Sequence, residues 1–207
     1  MEAMRVALSW SAMLQSCRTM IRSGEPLSEA FADAFNSKVK GIKPMASLKR
    51  VETKWAPREL LDQILEYCVI PTFDLVVELP HGRSVVMLRR TIAPYQNKWA
   101  LPGLRMLKPE GINDVIMRIA EDELGVEVDP DSKRYIGQYV GRFKTERGRQ
   151  DLSTGYAVRA LDDKLTINQS HFSDHKIIGS ISDIPVNTGA MYQFYLSAYF
   201  KELREVD

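Results

Sequence analysis

Residues 99–126, WALPGLRMLKPEGINDVIMRIAEDELGV, constrain the fold more than any other stretch of the chain. Pro109 and Gly111 punctuate a loop, Asn113 and Asp114 favour a first helical turn, and Gly125 stands where a left-handed residue stops a helix. The helix is therefore bounded at Ile112 to Leu124. At about 100° per residue, Ile112, Val115, Ile116, Ile119 and Ala120 share one arc, and Asp114, Arg118 and Glu121 lie opposite. Glu123 falls in the middle of the apolar arc and Asp122 on its edge. An unpaired buried carboxylate costs several kcal/mol, so Glu123 calls for a proton, a base or a metal ion. Two adjacent acids closing a helix that follows a glycine loop point to a divalent-cation site for a phosphorylated ligand. The competing reading is a last turn that leaves the core with both acids solvated.

The stretch resembles the Nudix box, G-x5-E-x7-R-E-U-x-E-E-x-G-U with U aliphatic. Glu110, Arg118, Glu123, Gly125 and Val126 match in register, and Asp122 replaces the first Glu of the final acidic pair. Leu104 stands at the box glycine and Ile119 at the Glu after the arginine. Residues 89–103, RRTIAPYQNKWALPG, are similar to one Nudix branch, the GDP-mannose mannosyl hydrolases, through Arg90, Thr91, Pro94, Gln96 and Trp99. That branch also carries an aliphatic residue where Ile119 stands. The resemblance runs from Ala56 to Glu202 and leaves out the first 50 residues.

Several expectations come with it. The fold is α/β (α+β), a mixed sheet sandwiched between helices. The reaction is Mg²⁺-dependent (Mn²⁺ as a substitute) water attack at the anomeric carbon of a nucleotide sugar such as GDP-mannose or GDP-glucose, with a histidine base. Residue by residue, Glu123 matches the metal ligand, helped by the Gly103 carbonyl and flanked by Asp122. Arg90, Arg105 and Tyr156 match groups at the leaving diphosphate, and Asp74 an acid on the sugar side. Arg118 braces the metal carboxylates and Glu110 caps the helix. His171 in NQSHFSDH matches the base, although the family's Gln before it is Ser170 here. His175 is the other candidate in that loop, and a two-histidine metal site is disfavoured there. The resemblance also implies a homodimer. Two rivals stay open: ordinary P–O cleavage using Asp122 and Glu123, and a non-catalytic sensor of nucleotide sugars, suggested by Leu104 where the loop needs its tightest turn.

Composition narrows the class. The 207 residues suffice for one domain with a full core and an appendage. With 28 basic against 27 acidic residues, bulk charge favours neither nucleic acid nor membrane as a partner. Cys17 and Cys68 lie in no C-x-x-C motif and read as free, buried thiols of a reducing compartment. No apolar run approaches the ~18 residues of a membrane span, so the cytoplasm is the default location.

Helices are expected over Met4 to Arg22 and Leu27 to Ser37, followed by a lysine-rich linker, so residues 1–50 form an extension and 51–207 the Nudix domain. Ala56-Pro57 opens a helix to Tyr67 with Leu60, Leu61, Ile64 and Leu65 inward. Strand pairs are expected at Phe73 to Leu79 with Ser84 to Arg90, and at Tyr135 to Arg142 with Ser153 to Leu161. Asp163 to Gly179 reads as a polar loop, and Ala190 to Leu203 as a helix with Tyr195, Ala198 and Tyr199 inward.

Overall fold

The computed structural model describes residues 51–80, 84–144, 146 and 148–205. The two N-terminal helices, Cys17 and the 81–83 turn lie outside the described residues. Ten elements follow: α1 (Arg58–Tyr67), β1 (Ile70–Glu78), β2 (Val85–Arg90), β3 (Trp99–Ala100), β4 (Gly103–Arg105), α2 (Ile112–Leu124), β5 (Val128–Phe143), β6 (Arg149–Ala160), β7 (Phe172–Ile178) and α3 (Ala190–Glu205). A short 3₁₀ turn, Ile181–Asp183, precedes α3.

All seven strands join one mixed sheet. β1 runs parallel to β6 from Ile70↔Asp151 to Glu78↔Arg159. Its other edge is shared by two antiparallel partners, β4 at Thr72–Asp74 and β2 at Glu78↔Val85. Beyond β2 lie β3 and β7, and beyond β6 lies β5. Because successive strand residues point to opposite faces, β1 feeds two cores. Phe73, Leu75 and Val77 pack with Val115, Ile116, Ile119 and Leu124 of α2. On the other face Val76 packs with Met87, Ala157 and the α3 residues Tyr195, Leu196 and Tyr199.

The mixed sheet between helices matches the expected fold class, and α2 has the expected bounds. The 163–179 segment does not stay a loop: Phe172–Ile178 forms β7, antiparallel to β2. Five of its residues are exposed, which is why no apolar alternation announced it. In α1 no residue is fully buried and Leu60 is exposed, so only Leu61, Ile64 and Leu65 turn partly inward. Cys68 is free but exposed, not buried, since it follows the end of that helix.

Candidate active site

The loop before α2 and the helix itself are joined by one buried ion pair. Arg118 is 2% exposed, although the helical period puts it opposite the apolar arc. Its Nε and Nη2 donate to the two oxygens of Glu110, the latter at 2.9 Å, and Nη2 also donates to the Arg105 carbonyl at 2.8 Å. Glu110 in turn accepts the Leu107 N–H at 2.7 Å. Glu110 is therefore a loop brace and not the helix cap. The Asp114 carboxylate takes the Gly111 N–H at 2.8 Å and fills the capping role. Ile112 is exposed at the helix start, and Asp122 lies 3.8 Å from Arg118 Nη1. Leu104 requires no tight turn, because it is a β4 residue paired with Phe73 and packed against the α2-side core.

At the other end of α2, Gly125 holds φ +64° and passes 2.9 Å, measured from where a Cβ would be, from the Thr166 side chain. This left-handed stop turns the chain so that Thr166 N–H reaches the Leu124 carbonyl (2.7 Å) and Asn168 N–H the Glu123 carbonyl (3.1 Å). The returning loop then delivers His171 to the helix end. Glu123 is 1% exposed, and its Oε1 is 2.8 Å from His171 Nδ1 and 3.4 Å from Asn168 Nδ2. Burial pushes the Glu123 carboxyl above the ordinary range, and His171, Asn168 and Arg90 pull it back. Nδ1 is the ring nitrogen of His171 that faces the carboxylate. His175 is separated from this pair, paired with Leu88 within the sheet. Asn168 escaped sequence reading because an Asn in a polar loop carries no periodic signal.

A divalent cation fits this end of the site only in company. No group of three His, Cys, Asp or Glu side chains is gathered to hold a metal ion among the described residues. Ile119 is fully buried in the core and Glu110 is committed to Arg118. Yet Glu123 is a buried acid with no arginine or lysine hydrogen-bonded to it among the described residues, and Mg²⁺ characteristically takes one or two carboxylates together with substrate phosphates and water. The donor set suits an ion that arrives with a diphosphate.

Asp74 occupies a second polar nest, on the α3 side of the sheet. It is 4% exposed, accepts a 2.5 Å hydrogen bond from Ser153 Oγ, and Tyr195 OH donates to that same Oγ at 2.8 Å. Burial raises the Asp74 carboxyl to about 7, against the lowering effects of Ser153, Arg90 and Arg149, while Asp151 adds to the rise. A Cβ on Gly103 would lie 2.1 Å from Asp74 Oδ1, so only glycine fits opposite this acid.

Arg90 sits electrostatically between Glu123 and Asp74, both of which it pulls down. It is 8% exposed, and its Nε and Nη2 hold the loop after β2 through the carbonyls of Pro94 (2.7 Å), Ala93 (3.2 Å) and Ile92 (3.3 Å). Arg105 lies over the Trp55 ring at 5.1 Å. Burial, Arg149 and Arg118 all lower its affinity for a proton. Arg149 pairs with both oxygens of Asp151 at 2.7 and 2.6 Å. Tyr156 is half-buried, stacked on Phe73 and edge-on to Tyr135.

No protein-family model matches the chain. Among curated proteins it is 27% identical over 120 residues to the low-salt glycan biosynthesis protein Agl8 of Haloferax volcanii, a match covering 56% of this chain and 74% of that one. Among solved structures, a MutT Nudix hydrolase from Burkholderia pseudomallei aligns with a TM-score of 0.53 and 16% identity, over 62% of this chain and 97% of that chain. The Nudix domain of Shewanella oneidensis NrtR, crystallised with ADP ribose, aligns with a TM-score of 0.50 and 16% identity, over 87% and 99% of the two chains. With the strand order and the glycine-stopped helix above, these likenesses establish the architecture: the chain has the Nudix fold.

Proposed function

We propose that the chain is a Nudix-fold hydrolase that cleaves a nucleoside-diphosphate sugar, of the GDP-mannose or GDP-glucose type, into nucleoside diphosphate and free sugar. The observation that carries this reading is the Glu123–His171 contact at 2.8 Å, with aliphatic Ile119 buried one turn earlier. Attack at phosphorus in an ordinary Nudix enzyme draws on a row of helix carboxylates, whereas one carboxylate and an imidazole suit activation of water against a carbon. His171 takes the proton of the attacking water. The new bond forms at the anomeric carbon as the bond from that carbon to the diphosphate oxygen breaks, and the electron pair leaves with the diphosphate.

Arg105 and the Tyr156 hydroxyl are the chain's donors to that leaving group, and Arg90 fixes the loop beside it and adds its charge. Glu123, the Gly103 carbonyl and neighbouring Asp122 would hold a Mg²⁺ arriving with the diphosphate, and that ion would supply further charge neutralisation. Asp74 stands at the sugar side as an acid that holds its proton near neutrality. The glycan biosynthesis role in the name of the Haloferax relative and the ADP ribose held by the Shewanella domain agree with a nucleotide-sugar ligand. The working form is a cytoplasmic homodimer, with residues 51–207 as the Nudix domain and residues 1–50 as an extension.

The test is product analysis. GDP-mannose with Mg²⁺ yields GDP and reducing sugar if the attack is at carbon. GMP and a sugar phosphate overturn that mechanism in favour of P–O cleavage, and absence of turnover with binding retained favours a sensor.

A further inference from the structure

Arg105 is a guanidinium of this site to which no carboxylate is paired among the described residues. Arg118 pairs with Glu110, Arg149 with Asp151 and Arg134 with Glu78. The Arg118 guanidinium lies close by, its Nη2 donating to the Arg105 carbonyl at 2.8 Å. A partly buried cation beside another cation is completed by an anion. What covers it is an aromatic ring: Trp55, 61% exposed, lies with the Arg105 guanidinium 5.1 Å from its centroid. The exposed indole is held in place. The segment carrying it is tied to the loop before α2, where Lys54 N–H donates to the Lys108 carbonyl at 3.1 Å. The exposed ring and the Arg105 guanidinium are thus adjacent and fixed to the same loop.

We propose that Trp55 and Arg105 form a nucleobase-and-phosphate subsite, in which the base of a nucleoside diphosphate stacks on the solvent side of the Trp55 ring while its phosphates meet Arg105. This rests on the nucleotide-ligand reading above and adds a residue outside the box and outside every strand and helix. Each half of the subsite explains the other. A stacked base buries the exposed indole, and the diphosphate linked to it supplies an anion. The guanidinium against the inner ring face pre-orders the platform, so less ordering remains to be done on binding.

The test uses the full chain in Mg²⁺, with wild type, Trp55→Ala, Trp55→Phe and Arg105→Ala titrated calorimetrically with GDP, ADP, inorganic pyrophosphate and mannose 1-phosphate. Trp55→Ala is expected to weaken GDP and ADP by about 5- to 150-fold, the usual worth of one base stacked on an aromatic side chain. Pyrophosphate and mannose 1-phosphate should stay within about twofold of wild type, well under the tenfold that 1.4 kcal/mol represents. Trp55→Phe should restore most of the nucleotide affinity, and Arg105→Ala should weaken nucleotides and pyrophosphate alike. A parallel loss of pyrophosphate in Trp55→Ala would reduce Trp55 to a support for Arg105 and overturn the base platform. Loss confined to mannose 1-phosphate would make the ring a sugar platform, and unchanged GDP would remove it from the site. In these three cases wild-type GDP binding and turnover persist, so the hydrolase reading stands. A wild-type chain that binds no nucleotide overturns both together.

Discussion

His171 reaches Glu123 with Nδ1, and among the described residues no hydrogen bond engages its other ring nitrogen, so the imidazole is oriented before any substrate arrives. His171→Ala should lower kcat by about 10²- to 10⁴-fold with KM little changed, the usual worth of a positioned general base. Steady-state kinetics on GDP-mannose checks this, and a loss seen in His175→Ala instead would move the base to β7. Asp74 makes a different prediction at the same scale. Its folded pKa of about 7 lies above the ordinary 3.8, so the native state binds the proton more tightly than the unfolded chain. Stability is then fully present below pH 4 and falls as pH rises through 7, by an amount on the order of a few kcal/mol. Asp74→Asn removes the titrating group and should flatten that slope, as urea midpoints measured from pH 4.5 to 8 would show. An unchanged slope would assign the pH dependence to another group.

Among the elements, α2 carries the site at both ends: its N-terminal loop is bound by Glu110 and Arg118, and its C-terminal glycine aims the chain that delivers His171. Gly125→Ala puts a side chain at φ +64° and against Thr166. The expected cost is about 1–3 kcal/mol of stability, read from denaturant unfolding, together with a fall in kcat as the 166–171 loop loses its anchor. A variant of unchanged stability would mean that the loop adjusts and that the left-handed stop is dispensable. β7 belongs to this scale too. It is held by pairing with β2 while most of its side chains face water, and that pairing, not any apolar pattern of its own, makes it a strand.

At the largest scale, among the described residues both cores are built from residues beyond 70, and each face of the sheet is covered by a helix from that same span. A chain of residues 51–207 alone should therefore unfold within about 4 °C of the full chain, the shift that about 1 kcal/mol makes at this size. A larger drop would give residues 1–50 a structural share in the domain. Sedimentation equilibrium of the full chain should return two copies per particle, and a single copy would remove the homodimer from the proposal.

The sequence by itself determined α2, its glycine stop and the β5–β6 strand pair, because helical period, turn residues and alternation are local properties of a chain, whereas the expected hairpin of β1 with β2 pairs only at Glu78↔Val85 and the burial of Glu123, one of two readings the sequence left open, was decided by the fold. It also marked Asp74 as an acid inside an apolar strand. Only the tertiary structure decided what these groups face. Arg118 is buried because Glu110, eight residues away, comes to meet it. Arg90 spends two of its nitrogens on loop carbonyls, Asn168 joins Glu123 across 45 residues of chain, and Arg105 finds Trp55. Partners separated this far in sequence leave no periodic trace, since their pairing depends on how the sheet and its loops close in space.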